Sequence, residues 1–301
     1  MQVHVLGSAA GGGVPQWNCA CSNCAAARDN RLPHRTQASI AASADGETWV
    51  LFNASTDVRA QIERDSALTP RGVRRSPIAA VVLTDANIDH AAGLLDFRQA
   101  GSLNVYSSGA VRATLLDNPM FEPFSRSPRA WETTDGVETA IAGLRVTPVA
   151  VPGSLPAYAG GARVDGAMTA YSIEDGKGAR VLYAPVFAEV CVELARAARD
   201  ADAVFLDGSF WTDDELISAG LGTRTAREMG HAPIAGDGGS LSIFAGVRTQ
   251  HKYYTHINNS NPALDPASAQ AATLRAAGVR IAEDGAVFRL HPSQAKANAD
   301  A

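Results

Sequence analysis

The sequence predicts an α/β fold, and three observations carry it. Short apolar runs rich in β-branched residues, such as Ile78–Leu83 and Ala203–Leu206, have the length and composition of buried strands. Between them stand helical stretches, among them Val58–Asp65 and the amphipathic Val190–Ala198. At Ile78–Phe97 a buried strand passes through the sharp polar loop Thr84–His90 into the small-residue run Ala91–Leu95, the start of a helix. A loop at the carboxyl end of a core strand rests on a rigid support, so function collects there.

Composition narrows the partners. The chain has 301 residues, 46% of them hydrophobic, which is ample for a large core. With a net charge of −5 and no Lys/Arg-rich run, no nucleic-acid partner is expected. No apolar stretch approaches the ~20 residues that span a bilayer, so no membrane insertion is expected. The start, MQVHVLGSAAGGG, lacks the pattern of a signal peptide, and SQAKANADA at the other end reads as a loose polar tail. A cytoplasmic location is the expectation, and there clustered thiols bind metal more readily than they form disulfides.

In chain order, VHVLG is a short strand, and the glycines after it form a tight turn rather than a phosphate loop, because no G-K-[ST] follows. Cys19, Cys21 and Cys24, spaced C-x-C-x-x-C, place three soft thiolates on one loop. That suits a tetrahedral Zn2+ needing one more ligand, with His34 and the segment around His256 as candidates. A closed thiolate shell leaves no room for substrate, so this zinc is predicted to be structural; the alternative is buried free cysteines or a redox pair. Arg35–Ser43 and Trp49–Asn53 read as strands joined at Ala44-Asp45-Gly46, and Asp57 is expected to cap the helix Val58–Asp65.

Farther on, Asn104–Tyr106 reads as a strand and Val111–Leu116 as a helix. Residues 117–136, rich in Pro, Ser and aromatics, read as a loop, either packed on the surface or covering a substrate. Leu144–Val151 and Ala170–Ile173 belong to a second sheet, followed by the strand Arg180–Tyr183. Cys191 is expected on the apolar side of the helix Val190–Ala198, and Trp211–Leu216 starts another helix. Asp207, ending a core strand, is a metal ligand, a partner to one, or a turn residue. Arg224, Arg227 and His231 gather positive or switchable charge beside the flexible GDGGS, suiting a carboxylate-bearing ligand or a surface ion-pair cluster. His256 stands at the end of the strand Lys252–Ile257, a natural ligand position. Ala267–Gly278 is a helix, followed by the strand Val279–Ala282 and a turn at Glu283-Asp284-Gly285.

The loop at Thr84 reads T-D-A-N-I-D-H-A-A-G and resembles the metallo-β-lactamase superfamily signature T-H-x-H-x-D-H-x-x-G. Asp89, His90 and Gly93 are in step, whereas Asp85 and Asn87 stand in place of two His. No His lies between His90 and His231, where hydrolases of the superfamily supply one, and Ala184 stands where they often carry a bridging Asp. These departures argue against a two-zinc hydrolytic site.

At a finer level the chain resembles the family of PQQ (pyrroloquinoline quinone) biosynthesis protein B. GSAAGGGVPQWNCACSNC, RTQASIA, NASTDVRAQI, TDANIDHAAGLL, LYAP, GTRTAREMGH and THINNSNP carry the likeness in order, while residues 102–170 contribute little. The resemblance implies a metallo-β-lactamase-like αββα sandwich, two mixed β-sheets flanked by helices. It implies one domain over residues 1–301, with a Cys-rich zinc loop at residues 15–25. It also implies structural Zn2+ on Cys19, Cys21 and Cys24, and Asp89, His90 and His256 as ligands of a reactive metal. Its partners would be PQQ and a small-molecule or short-peptide precursor, and it leaves room for a homodimer. Two roles follow from it: carriage of PQQ or its precursor, linked to transport towards the periplasm, or hydroxylation of a tyrosine ring by an iron-dependent oxidoreductase. One carboxylate and two imidazoles match the facial set that leaves Fe2+ open positions for oxygen chemistry. The expectation is therefore a non-haem iron oxygenase with catalytic Asp89, His90 and His256, and substrate contacts from Arg224, His231 and Asp207. A non-catalytic carrier is the alternative, and a residual hydrolase is disfavoured.

Overall fold

The computed structural model describes residues 1–126 and 129–292; the polar tail expected at residues 293–301 lies outside them. Strands β1 (Gln2–Gly7), β2 (Ser39–Ser43), β3 (Trp49–Phe52), β4 (Ile78–Val82), β5 (Asn104–Ser107) and β6 (Ala130–Thr133) belong to a first sheet. A second sheet holds β7 (Thr139–Ile141), β8 (Leu144–Ala150), β9 (Thr169–Asp175), β10 (Arg180–Ala184), β11 (Ala203–Asp207), β12 (Lys252–Thr255) and β13 (Arg280–Ile281). The chain then returns as β14 (Val287–Arg289), antiparallel to β1, so each sheet has seven strands.

Alternation along the strands sorts the side chains into layers. Val3, Val5, Ile40, Val50, Phe52 and Val82 point between the sheets, where they meet Val146, Tyr171, Ile173, Val181, Tyr183 and Phe205. Their neighbours Ala41, Leu51, Val81 and Val105 point outwards, under Val58 and Val111 of the helices Val58–Arg64 and Gly109–Leu116. On the other outer face Leu182, Val204, Leu206 and Tyr254 lie under Leu194, Phe244 and Leu274 from the helices Val192–Arg199, Leu241–Ala245 and Ala269–Ala276. The result is the αββα sandwich. The mean burial of each large core side chain stabilises it by about 1.5–3 kcal/mol against the entropy of ordering.

Both sheets are mixed. β3 to β6 run parallel in one, and β10 to β13 run parallel in the other. The loops that leave the carboxyl ends of β4, β11 and β12 carry Asp85 to His90, Gly208-Ser209 and His256. Two links join the sheets at this edge: the Thr169 amide donates to the Thr84 carbonyl (2.8 Å), and Asp85 forms an isolated bridge with Met168.

Several local expectations are corrected. Asp57 precedes the helix Val58–Arg64 but has αR backbone angles and does not cap it; its carboxylate accepts from the Gln37 amide (3.0 Å) instead. The helix expected from Trp211 begins at Glu215, because Glu215 Oε2 folds back onto the Trp211 amide. Cys191 is the residue before its helix rather than part of it, half-buried against the outer core of the second sheet. Within the segment expected as a loop at 117–136, the described residues include β6, which pairs parallel with β5, and Phe121, Phe124 and Trp131 are buried, so this part packs on the fold.

Candidate metal centres

The centre is built from the loop after β4. Asn53 adopts a left-handed backbone (φ +68°), which Asn tolerates better than most residues, and its amide holds Thr84 by two contacts of 2.9 Å, to the main-chain N and to Oγ1. Thr84 Oγ1 lies 2.8 Å from Asp85 Oδ2, and Asp85 Oδ1 accepts from the Asn87 amide and side chain at 2.9 and 2.7 Å. Asp85 is fully buried, and its Oδ2 accepts from His90 Nδ1 at 2.6 Å. The residue standing in place of a histidine is thus engaged as the acceptor that orients His90. With the proton on Nδ1, the Nε2 lone pair of His90 is left for a ligand. Nε2 is buried, has no hydrogen-bond partner, and lies 3.8 Å from Asp89 Oδ2.

His256 reaches the same oxygen from the second sheet. It follows β12 in a left-handed backbone (φ +54°), and its Nε2 lies 3.2 Å from Asp89 Oδ2. Ser209 Oγ donates to Asp207 Oδ1 (2.6 Å), which leaves it to accept from His256 Nδ1 (2.8 Å). His256 Nε2 therefore presents a lone pair as well. Two imidazole lone pairs facing one carboxylate oxygen repel unless a cation lies among them, and one ligand atom from each of Asp89, His90 and His256 lies within 4.8 Å of the others. The donor set fits a divalent metal.

The electrostatics agree. Burial opposes charge on Asp89, but His90 and His256 outweigh it and hold the carboxyl well below its usual range. Burial likewise opposes charge on His90, yet Asp85 and Asp89 lift it to about 9, so metal binding at Nε2 must displace the proton that the two carboxylates favour there. His256 is lowered, chiefly by burial, and stays neutral as a ligand must. Gly11 leaves room beside this group: a Cβ there would stand 3.3 Å from Asp89 Oδ2.

A second triple, Asp207, His231 and His256, also converges within 4.8 Å. Here Asp207 Oδ2 accepts from His231 Nδ1 at 2.7 Å, and the two imidazoles stack at 5.4 Å. Both Nδ1 atoms are engaged as donors, so this triple is a hydrogen-bonded support behind the first. Burial lowers His231, but Asp207 raises it further, favouring an imidazolium. Arg224 is exposed and donates to the Glu228 carbonyl, and Arg227 donates to the Asp237 carbonyl (2.7 Å); each bonds to its own loop region rather than to the Asp89 group.

The thiolates of Cys19, Cys21 and Cys24 form the other cluster, again within 4.8 Å. Burial, with the neighbouring Cys21 and Cys19, pushes the Cys24 thiol up to about 11. The Asn259 side-chain amide lies 3.2, 3.5 and 3.4 Å from the three sulfurs. His34 is turned away, its Nε2 against the Ala27 carbonyl at 2.9 Å. The amide's oxygen and nitrogen ends are interchangeable by a flip, so Asn259 can turn an oxygen to the metal. Asn259 belongs to the region near His256 already singled out, but an amide among histidines and cysteines gave no signal of ligation. Asp85, Ser209 and Gly11 were missed too, since each acts through a neighbour distant in sequence.

The chain is similar to several known proteins. Residues 48–257 match the family model of the beta-lactamase superfamily domain. A protein of Rhizobium meliloti (strain 1021), "Coenzyme PQQ synthesis protein B", is 42% identical over 298 residues, covering 96% of this chain and 98% of its own. The crystal structure of Zn(2+)-bound PqqB from Methylobacterium extorquens has a TM-score of 0.89 and 40% identity, over 96% of this chain and all of that one. A diphosphatase of the PhnP family, 22% identical with a TM-score of 0.66, shares the fold over 97% of this chain and 99% of that one. No helix among the described residues is long and apolar enough to cross a membrane.

Proposed function

Because the chain belongs to the family of coenzyme PQQ synthesis protein B, within the beta-lactamase superfamily, we propose that it serves PQQ synthesis as a mononuclear non-haem iron oxygenase. Its substrate would be a Glu-Tyr-derived precursor, hydroxylated on the tyrosine ring. One observation carries the reading: the carboxylate of Asp89 and the Nε2 atoms of His90 and His256 face a common centre, and the acid that replaces the hydrolase histidine is engaged by His90 Nδ1. Asp85, with both oxygens engaged, then has little to offer a second ion, which weakens a two-metal hydrolysis. Fe(II) held by Asp89, His90 and His256 would supply the activation of dioxygen.

The chain's own residues do the rest. Asp85 and Asp207, the latter through Ser209, fix the two ligand imidazoles in the tautomer a metal needs. His231, whose pKa Asp207 raises, has Nε2 available to pair with a carboxylate of the acidic precursor. Zn2+ on Cys19, Cys21 and Cys24, with Asn259 as the fourth ligand, would tie the first loop to the Asn258–Asn261 segment that follows His256. One domain, residues 1–301, would carry both centres.

The test is metal analysis of anaerobically purified protein, followed by exposure of a Glu-Tyr cross-linked peptide to dioxygen. Stoichiometric iron and dioxygen-dependent addition of oxygen to the tyrosine, both lost in Asp89→Ala with zinc retained, is the expected result. Unchanged peptide alongside tight PQQ binding would replace this reading with that of a carrier.

A further inference from the structure

The fold holds a cavity whose chemistry the reactive centre does not use. It opens beside the edge strand β13 and the helix Ala269–Ala276, and has a volume of about 500 Å³, within the range of small-molecule sites. One wall is apolar, from Ala263, Leu264, Leu274, Val279 and Phe288; the polar part has three arginines, Arg35, Arg275 and Arg280, against one acid, Glu283.

Arg35 is the telling residue. It is only 7% exposed, and its guanidinium donates to Ser8 Oγ (2.9 Å) and the Ala282 carbonyl, but its Nε is buried without a partner. Asp284, bonded to the same Ser8 hydroxyl at 2.7 Å, and Glu283 offset part of its charge, yet burial still lowers its pKa, so the compensation is incomplete. A buried charge is normally matched. The other two arginines are held in place at the cavity: Arg275 donates to the Pro266 carbonyl (2.9 Å), and the Arg280 guanidinium lies 5.0 Å over the Tyr253 ring.

We propose that this cavity binds a small amphipathic carboxylate, its apolar body against Leu264, Leu274 and Phe288 and its carboxylate among Arg35, Arg275 and Arg280. The arginine forks are matched to a planar carboxylate, and the apolar wall excludes a bare inorganic anion as the best occupant. The site is independent of the iron reading, since Asp89, His90 and His256 do not line it.

The test is a calorimetric titration of the full-length protein with 2-naphthoate, with 2-naphthalenemethanol as its uncharged counterpart. One molecule per chain should bind, at least about tenfold more tightly than the alcohol, as expected for charge-assisted hydrogen bonds. The double variant Arg275→Ala/Arg280→Ala, which leaves the buried Arg35 in place, should weaken binding by about tenfold or more with an unchanged melting temperature, and Asp89→Ala should leave it intact. Equal binding of acid and alcohol, equal binding by the double variant, loss of binding in Asp89→Ala, or no binding at millimolar concentration would each overturn the proposal.

Discussion

Replacing Asp85 by Asn tests whether the acid in a histidine's place serves the metal through His90. The buried carboxylate accepts from His90 Nδ1 (2.6 Å), Thr84 Oγ1 (2.8 Å), the Asn87 amide (2.9 Å) and Asn87 Nδ2 (2.7 Å). An asparagine has the same shape but one acceptor oxygen, so its NH2 must face either His90 Nδ1–H or the Asn87 donors. A buried donor left unpaired costs about 1–3 kcal/mol. Turning the NH2 towards His90 lets the imidazole switch its proton to Nε2, and the nitrogen facing Asp89 then has no lone pair for metal. Loss of a carboxylate behind a ligand histidine typically lowers metal affinity by about 10–100-fold, or roughly 1.4–2.7 kcal/mol. Chelator competition under anaerobic conditions measures the iron affinity, and zinc content monitors the other centre in the same sample. The expected outcome is weakened iron with zinc unchanged. Iron bound as tightly as in the parent chain would refute the assignment of Asp85 as an orienting acid.

Other perturbations separate the two centres and the frame between them. Cys21→Ser should lose zinc and destabilise the fold by at least about 2 kcal/mol in chemical denaturation, because metal binding energy is folding energy; Asn259→Ala should weaken zinc, and His34→Ala should leave it unchanged. At Gly93 an added Cβ would fall 1.9 Å from the Ser55 carbonyl oxygen and 2.8 Å from Val58 Cγ1, so Gly93→Ala must displace the loop. Its expected cost is about 1–3 kcal/mol, read as a lower denaturation midpoint, with weaker iron binding. Glu215 is buried, and burial raises it from 4.5 to about 7 despite hydrogen bonds from Ser260 and the Trp211 amide. The folded state thus holds a proton that the unfolded chain releases, so stability falls as pH rises from 4.5 to about 7, by roughly 3 kcal/mol in all. Glu215→Gln should flatten that slope in denaturation midpoints taken across the interval; an unchanged slope would assign the pH dependence elsewhere.

The sequence by itself determined the α/β class, most strand cores, the paired acid and imidazole at the end of β4 and the thiol cluster. These are local signals: β-branched runs, a strand–loop–helix transition, and cysteines two and three positions apart. The helix start at Val58 is as the sequence predicts, but Asp57 does not cap it and the helix expected from Trp211 starts later, because Asp57 and Glu215 bind the amides of Gln37 and Trp211, which no propensity records. Only the tertiary structure decided that Asp85 orients His90, that Ser209 carries Asp207's influence to His256, and that Asn259 rather than His34 meets the sulfurs. Asp89 and His256 are 167 positions apart, and their 3.2 Å approach exists because two separate sheets stack with the ends of β4 and β12 at one edge. Residue types can nominate a ligand, but which lone pair it presents depends on the hydrogen bond at its far side, and that partner comes from the packing of the whole chain.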